Sequence, residues 1–70
     1  MKLNKNVIYY ITNDLENRTG YFLNCETNVM LKFDEIAVDY FLKILNAKSK
    51  DSVKEYLLYF EGCDLFEQDI

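Results

Sequence analysis

Val29-Met30-Leu31-Lys32-Phe33-Asp34-Glu35-Ile36-Ala37-Val38-Asp39-Tyr40-Phe41 changes its hydrophobic period halfway along. Up to Phe33 the alternation puts Val29, Leu31 and Phe33 on one face and Met30 and Lys32 on the other, which is the period of a strand. From Asp34 onward Ala37, Tyr40, Phe41, Ile44 and Leu45 recur at helical spacing, with Glu35, Asp39, Lys43 and Asn46 opposite them. Asp34 stands where an N-cap accepts a first-turn amide, and Phe33 before it can pack on Val38 as a hydrophobic staple. A strand therefore runs straight into an amphipathic helix.

Working back from this junction, Glu26-Thr27-Asn28 reads as a hairpin turn, and Tyr21 to Cys25 as the strand before it. Val7 to Thr12 is dense in β-branched and aromatic residues and predicts another strand. The polar stretch Asn13 to Gly20 between them reads as a connecting loop, with Asn17 and Gly20 tolerant of positive φ. Tyr9 and Tyr10 fall on opposite faces of the first strand, so one ring is expected away from the core.

Forward of the junction, Ser49 is a second N-cap candidate, and Val53, Tyr56, Leu57 and Phe60 predict a helix over about Lys50 to Phe60. Leu58 and Tyr59 lie off its stripe. Gly62 offers a stop, and Asp64-Leu65-Phe66-Glu67 has a capping-box spacing that predicts the start of a third helix. Three strands followed by helices give an α+β fold: a winged-helix-like, three-stranded antiparallel sheet, two helices and the start of a third. The open sheet edges are each a docking rail or a liability.

Composition narrows the rest. The chain has 70 residues, half of them hydrophobic, with six Tyr and five Phe, two Gly and no Pro. That is one domain, residues 1–70, able to bury only about 60% of its unfolded surface. Disorder is excluded, and so is a large active-site cleft. The longest apolar run, Val7 to Ile11, is far short of the roughly 20 residues of a membrane span, and no secretory signal is legible. A soluble, cytoplasmic protein is expected, with Cys25 and Cys63 as free thiols. Net charge is −4. From Asp34 onward Asp34, Glu35, Asp39, Asp51, Glu55, Glu61, Asp64, Glu67 and Asp69 outnumber Lys43, Lys48, Lys50 and Lys54. Such a surface repels phosphate backbones, so the expected partner is a peptide or protein, not nucleic acid and not a membrane.

Signs of chemistry are sparse. With no His, the usual neutral-pH base and the commonest metal ligand are both missing, and two Cys alone do not make a zinc site. No phosphate loop or nucleophile motif is present. The acidic pairs Asp34/Glu35 and Glu67/Asp69 read as helix N-terminal charges. The expectation is a protein that is not an enzyme, with no catalytic residues, no metal and no cofactor.

The stretch Thr27-Asn28-Val29-Met30-Leu31-Lys32-Phe33-Asp34-Glu35-Ile36-Ala37 resembles the PqqD-like domains, the RiPP recognition elements. In this comparison Phe33-Asp34 takes the place of the family's Leu-Asn pair, Ile44-Leu45 ends helix one, Ser49 caps helix two and Asp69-Ile70 is the helix-three pair. Gly20-Tyr21-Phe22-Leu23-Asn24 and the Glu26-Thr27 turn look most similar to the B1-type proteins of lasso-peptide clusters. The resemblance implies leader-peptide binding in lasso-peptide or bacteriocin biosynthesis. The leader of a ribosomally made precursor adds as a strand beside the third strand and is delivered to a modifying enzyme such as a leader peptidase, cyclase or radical enzyme. The implied peptide-binding residues are Val29, Met30, Leu31, Lys32, Phe33, Leu65, Phe66, Asp69 and Ile70, with Lys32 available to a leader carboxylate.

In the resemblance the third helix continues where this sequence stops. A chain ending within its first turn would leave Val53 and Leu57 bare and pair with itself as a homodimer. Proline at Leu31 is expected to abolish capture by removing a backbone donor. The alternative functions are a winged-helix-like nucleic-acid-binding regulator and a small protein-interaction or immunity protein.

Overall fold

The computed structural model describes residues 2–12 and 17–67. Strands β1 (Val7–Ile11), β2 (Gly20–Asn24) and β3 (Val29–Phe33) form an antiparallel sheet in the order β1-β2-β3. Helix α1 (Glu35–Leu45) follows, then a single 3-10 turn at Asp51–Val53 that leads into α2 (Lys54–Tyr59). This is the α+β architecture that the change of period predicts. No helix among the described residues is long and apolar enough to cross a membrane.

The hairpin between β2 and β3 is built by an asparagine at each end. Asn24 Oδ1 accepts from the Glu26 N–H (2.9 Å) and the Thr27 N–H (3.2 Å), and Asn28, at φ 60°, donates its N–H to the Asn24 carbonyl (2.7 Å). A tight turn fixes the register that pairs Phe22 with Leu31 and Leu23 with Met30. At the other end of β3, Asp34 is extended and its Oδ1 accepts from the Ala37 N–H at 3.0 Å, so the expected cap is formed. The ring of Phe33 lies against Phe22 and Phe60, at 5.0 and 5.3 Å between centroids.

Helix α1 covers one face of the sheet, and α2 packs against α1. Ala37, Val38, Phe41 and Ile44 are the buried stripe of α1. Phe41 makes the centre of the core, with ring centroids 4.6 Å from Phe22, 5.1 Å from Tyr9 and 5.4 Å from Phe66. Tyr9 belongs to this cluster, and Tyr10 is the ring turned away.

Gly20 is the first residue of β2, not the end of a loop with positive φ. Its glycine identity comes from crowding: a Cβ there would lie 2.8 Å from Phe22 Cε1 and 3.0 Å from Val38 Cγ2. We expect Gly20→Ala to destabilise the domain by about 1–3 kcal/mol through overpacking, read as a lowered Tm with an unchanged far-UV spectrum.

Two expectations on the second half are corrected. Ser49 does not cap a helix; its carbonyl accepts the Ser52 hydroxyl (2.8 Å), and the 3-10 turn begins at Asp51 with no side-chain cap. Asp64-Leu65-Phe66-Glu67 does not start a third helix either. Gly62 (φ 85°) and Asp64 (φ 54°) turn the chain back, and the next residues run extended against the first ones. Asn4 N–H donates to Leu65 O and Glu67 N–H to Lys2 O, both at 2.8 Å, Leu3 pairs with Phe66, and Asn4 Nδ2 donates to Asp64 O at 2.9 Å. These bonds satisfy the backbone groups that a first helical turn would leave open, and they seat Leu65 in the core. Leu65 and Phe66 pack in the core that also holds Val53 and adjoins Leu57. The bare surface expected at Val53 and Leu57 is therefore absent: Val53 is buried and Leu57 half-buried.

Candidate functional site

The candidate site is the free edge of β3, which among the described residues pairs with β2 alone. Which of its backbone groups face outward follows from the ladder. Cys25 N–H bonds to Asn6 O (2.7 Å) and Thr12 N–H to Thr19 O (2.9 Å), so β2 turns the odd-numbered residues Tyr21 and Leu23 toward β1. Gly20, Phe22 and Asn24 are then left to bond Phe33, Leu31 and Val29. The N–H and C=O groups of Met30 and Lys32 consequently face the open edge. The donor of Leu31 is already used within the sheet, which corrects the expected route by which proline at that position would act.

Beside this edge a cleft of about 140 Å³ opens between the sheet and the returning C-terminal segment. Val29 and Leu31 line it from β3, Val7 and Phe22 from below, and Cys63 and Leu65 from the far side. Val29 is half exposed, Leu31 and Cys63 are partly buried, Val7, Phe22 and Leu65 are buried, and no described polar side chain is buried anywhere. The cleft suits one apolar side chain entering from an extended segment.

The structure divides the residues singled out in the sequence. Val29, Leu31 and Leu65 meet at the cleft. Met30 and Lys32 offer backbone at the edge, but their side chains belong to the opposite sheet face, where the Lys32 ammonium sits 6.0 Å from the centre of the Tyr21 ring. Phe33 is partly buried and packs against the core. Phe66 stacks on Phe41 and does not line the cleft, so Leu65 and Phe66 serve it as wall and support instead of as the face of a helix. Asp69 and Ile70 lie outside the described residues, as does part of the loop expected over Asn13 to Gly20.

Val7, Gly62 and Cys63 were not anticipated there. The only sequence signal for them is Gly62 as a helix stop, since it is the pair of left-handed residues around Cys63 that swings this segment under the sheet. Burial, and then the negative charge of Asp64, push the Cys63 thiol above its ordinary pKa, so it is a neutral, poorly nucleophilic thiol at pH 7. Cys25 is exposed in the hairpin turn, and both cysteines are free. Among the described residues no group of three or more His, Cys, Asp or Glu is placed to hold a metal ion.

Asp64 lines the cleft, whereas the ion pairs of Arg18 and Lys43 lie on the helical side. Arg18 reaches Glu35 (3.6 Å) and Asp39 (4.0 Å), and Lys43 bonds Asp39 (3.1 Å), which raises the lysine pKa. These pairs are solvent-exposed and contribute little to stability.

Comparison with family models, with curated proteins and with solved structures finds no match to this chain.

Proposed function

We propose that the chain is a peptide-capturing module that takes the leader of a ribosomally synthesised precursor as a fourth strand on β3 and passes it to a modifying enzyme, without catalysing the modification itself. The observation that carries this reading is the β3 edge, unpaired among the described residues, with Met30 and Lys32 backbone groups outward, lying beside a largely apolar cleft. Main-chain bonds to an added strand supply affinity whatever the sequence of the guest, and a pocket for one of its alternate side chains supplies selectivity. Lasso-peptide or bacteriocin biosynthesis is the setting that the sequence resemblance suggests. The acidic helices disfavour the nucleic-acid alternative.

The test is titration of the labelled chain with the leader half of a precursor encoded beside its gene. Amide shifts are expected at Val29–Phe33 and at residues 62–65; shifts confined to the solvent side of α1 refute the proposed groove. A chemical readout accompanies it. Alkylation should modify exposed Cys25 well before Cys63, and bound leader should slow Cys63 further while leaving Cys25 unchanged, as mass spectrometry of the modified peptides would report. Equal protection of both thiols, or of neither, counts against capture at the cleft.

A further inference from the structure

The sheet has a second face that nothing in the described chain covers. Register places Ile8, Leu23 and Met30 in one row across it and Tyr10, Tyr21 and Lys32 in the next. Tyr10, Met30 and Ile8 are 66%, 65% and 59% exposed, which is unusual for a contiguous apolar group on a domain this small. We propose that a second copy of the chain covers this face, the two sheets stacking about a twofold axis with their helices outward.

Two observations select a second copy. The first is area. Taken over Ile8, Tyr10, Tyr21, Leu23 and Met30, the exposed surface is about 500–600 Å² per copy, so a pair that covers it completely buries roughly 1,100 Å², at the lower end, ~1,000 Å², of a specific interface. The second is charge. Copies of net charge −4 repel one another, yet every described acidic residue lies in the β2–β3 turn, in the helical segments or in the C-terminal segment, and none on this face. Stacking by the outer faces keeps these acids apart. Pairing instead through the exposed Leu58 and Tyr59 of α2 would bring Glu55 and Glu61 of the two copies together. Lys32, the one charged residue that the described strands place on the outer face, sits at the end of its row, where its ammonium stays in water. Face-to-face stacking leaves the β3 edge open, so the pairing does not depend on the peptide-binding reading.

Sedimentation velocity of the whole chain between about 5 and 300 µM tests the pairing, micromolar association being what so small an interface supports. The mass is expected to double from 8.4 kDa across this range. In the double variant Ile8→Glu/Tyr10→Glu the association should weaken at least about a hundredfold, since each copy would bury unpaired carboxylates, while circular dichroism and leader titration stay as in the parent. Ile36→Glu/Leu58→Glu should still pair. Should the first variant not fold, dilution of the labelled parent chain decides the matter, with shifts expected on residues 8–10, 21–23 and 30–32. A monomer at the highest concentration overturns the proposal and leaves the face to a different protein. Pairing unaffected by Ile8→Glu/Tyr10→Glu, or dilution shifts on the helices, overturns it equally.

Discussion

Phe41→Ala is expected to leave the domain largely unfolded in mild urea and barely stable in buffer. The ring is fully buried and touches Tyr9, Phe22 and Phe66, so it joins both edges of the core: the sheet on one side and the returning C-terminal segment on the other. Removing a buried Phe costs about 3–5 kcal/mol in lost transfer energy and residual cavity. A domain of 70 residues has a net stability of only about 4–10 kcal/mol. The cavity cannot close readily, because the surrounding rings are held by the sheet register and by the bonds between residues 2–4 and 64–67. Urea denaturation followed by circular dichroism checks this. A loss below about 1.5 kcal/mol would show that the aromatic cluster is not the core. Tyr10→Ala, on the outer face, should change the stability of the dilute chain by no more than about 0.5 kcal/mol.

Lys32→Pro should abolish leader capture in a folded protein, whereas Leu31→Pro should unfold it. The difference rests on strand alternation. The Lys32 N–H faces the open edge, and proline is tolerated in an edge strand where its missing donor would have pointed to solvent. The Leu31 N–H is bonded across to β2, and proline there removes a rung of a three-stranded sheet that has few to lose. For Lys32→Pro the dissociation constant of the leader is expected to rise about thirtyfold or more, from one missing main-chain bond together with the proline ring obstructing the added strand. Lys32→Ala is the control that separates backbone from side chain and should stay within about threefold of the parent. Leader binding measured calorimetrically, with circular dichroism on each variant, decides the case. Full affinity in a folded Lys32→Pro chain would remove strand addition at β3 as the mode of binding.

The parts of the fold that were legible in the sequence are those decided by neighbouring residues. β3 runs from Val29 to Phe33 as its alternation implies, Asp34 caps α1 through the amide three residues on, and Glu26-Thr27-Asn28 turns the chain as short polar residues between strands do. The failures share a different cause. Asp64-x-x-Glu67 carries a sound local helix signal, but bonds to Lys2 and Asn4, on the far side of the sequence, outcompete a helical turn of three or four residues. Gly20 reads as a turn residue because what crowds it, the buried ring of Phe22 together with Val38 eighteen positions away, is set by core packing.

The candidate site was half visible for the same reason. The strand that could receive a guest follows from its period, yet the identity of the outward amides depends on which neighbour β2 bonds through which residues, and that is a property of the assembled ladder. The second wall of the cleft, Cys63 and Leu65, is brought there by tertiary bonds alone.

Sequence by itself therefore determined the class of fold, the capping of α1, the burial of its apolar stripe and the acidity of the surface, because each depends on periodicity or composition over a few turns of chain. Tertiary structure alone decided that, among the described residues, β3 has a free edge, which of its amides point there, what stands across the cleft, and that an apolar sheet face is left uncovered. These are relations between segments far apart in the chain, set by where the ends of each hydrogen-bonded ladder fall and by which surfaces the helices reach.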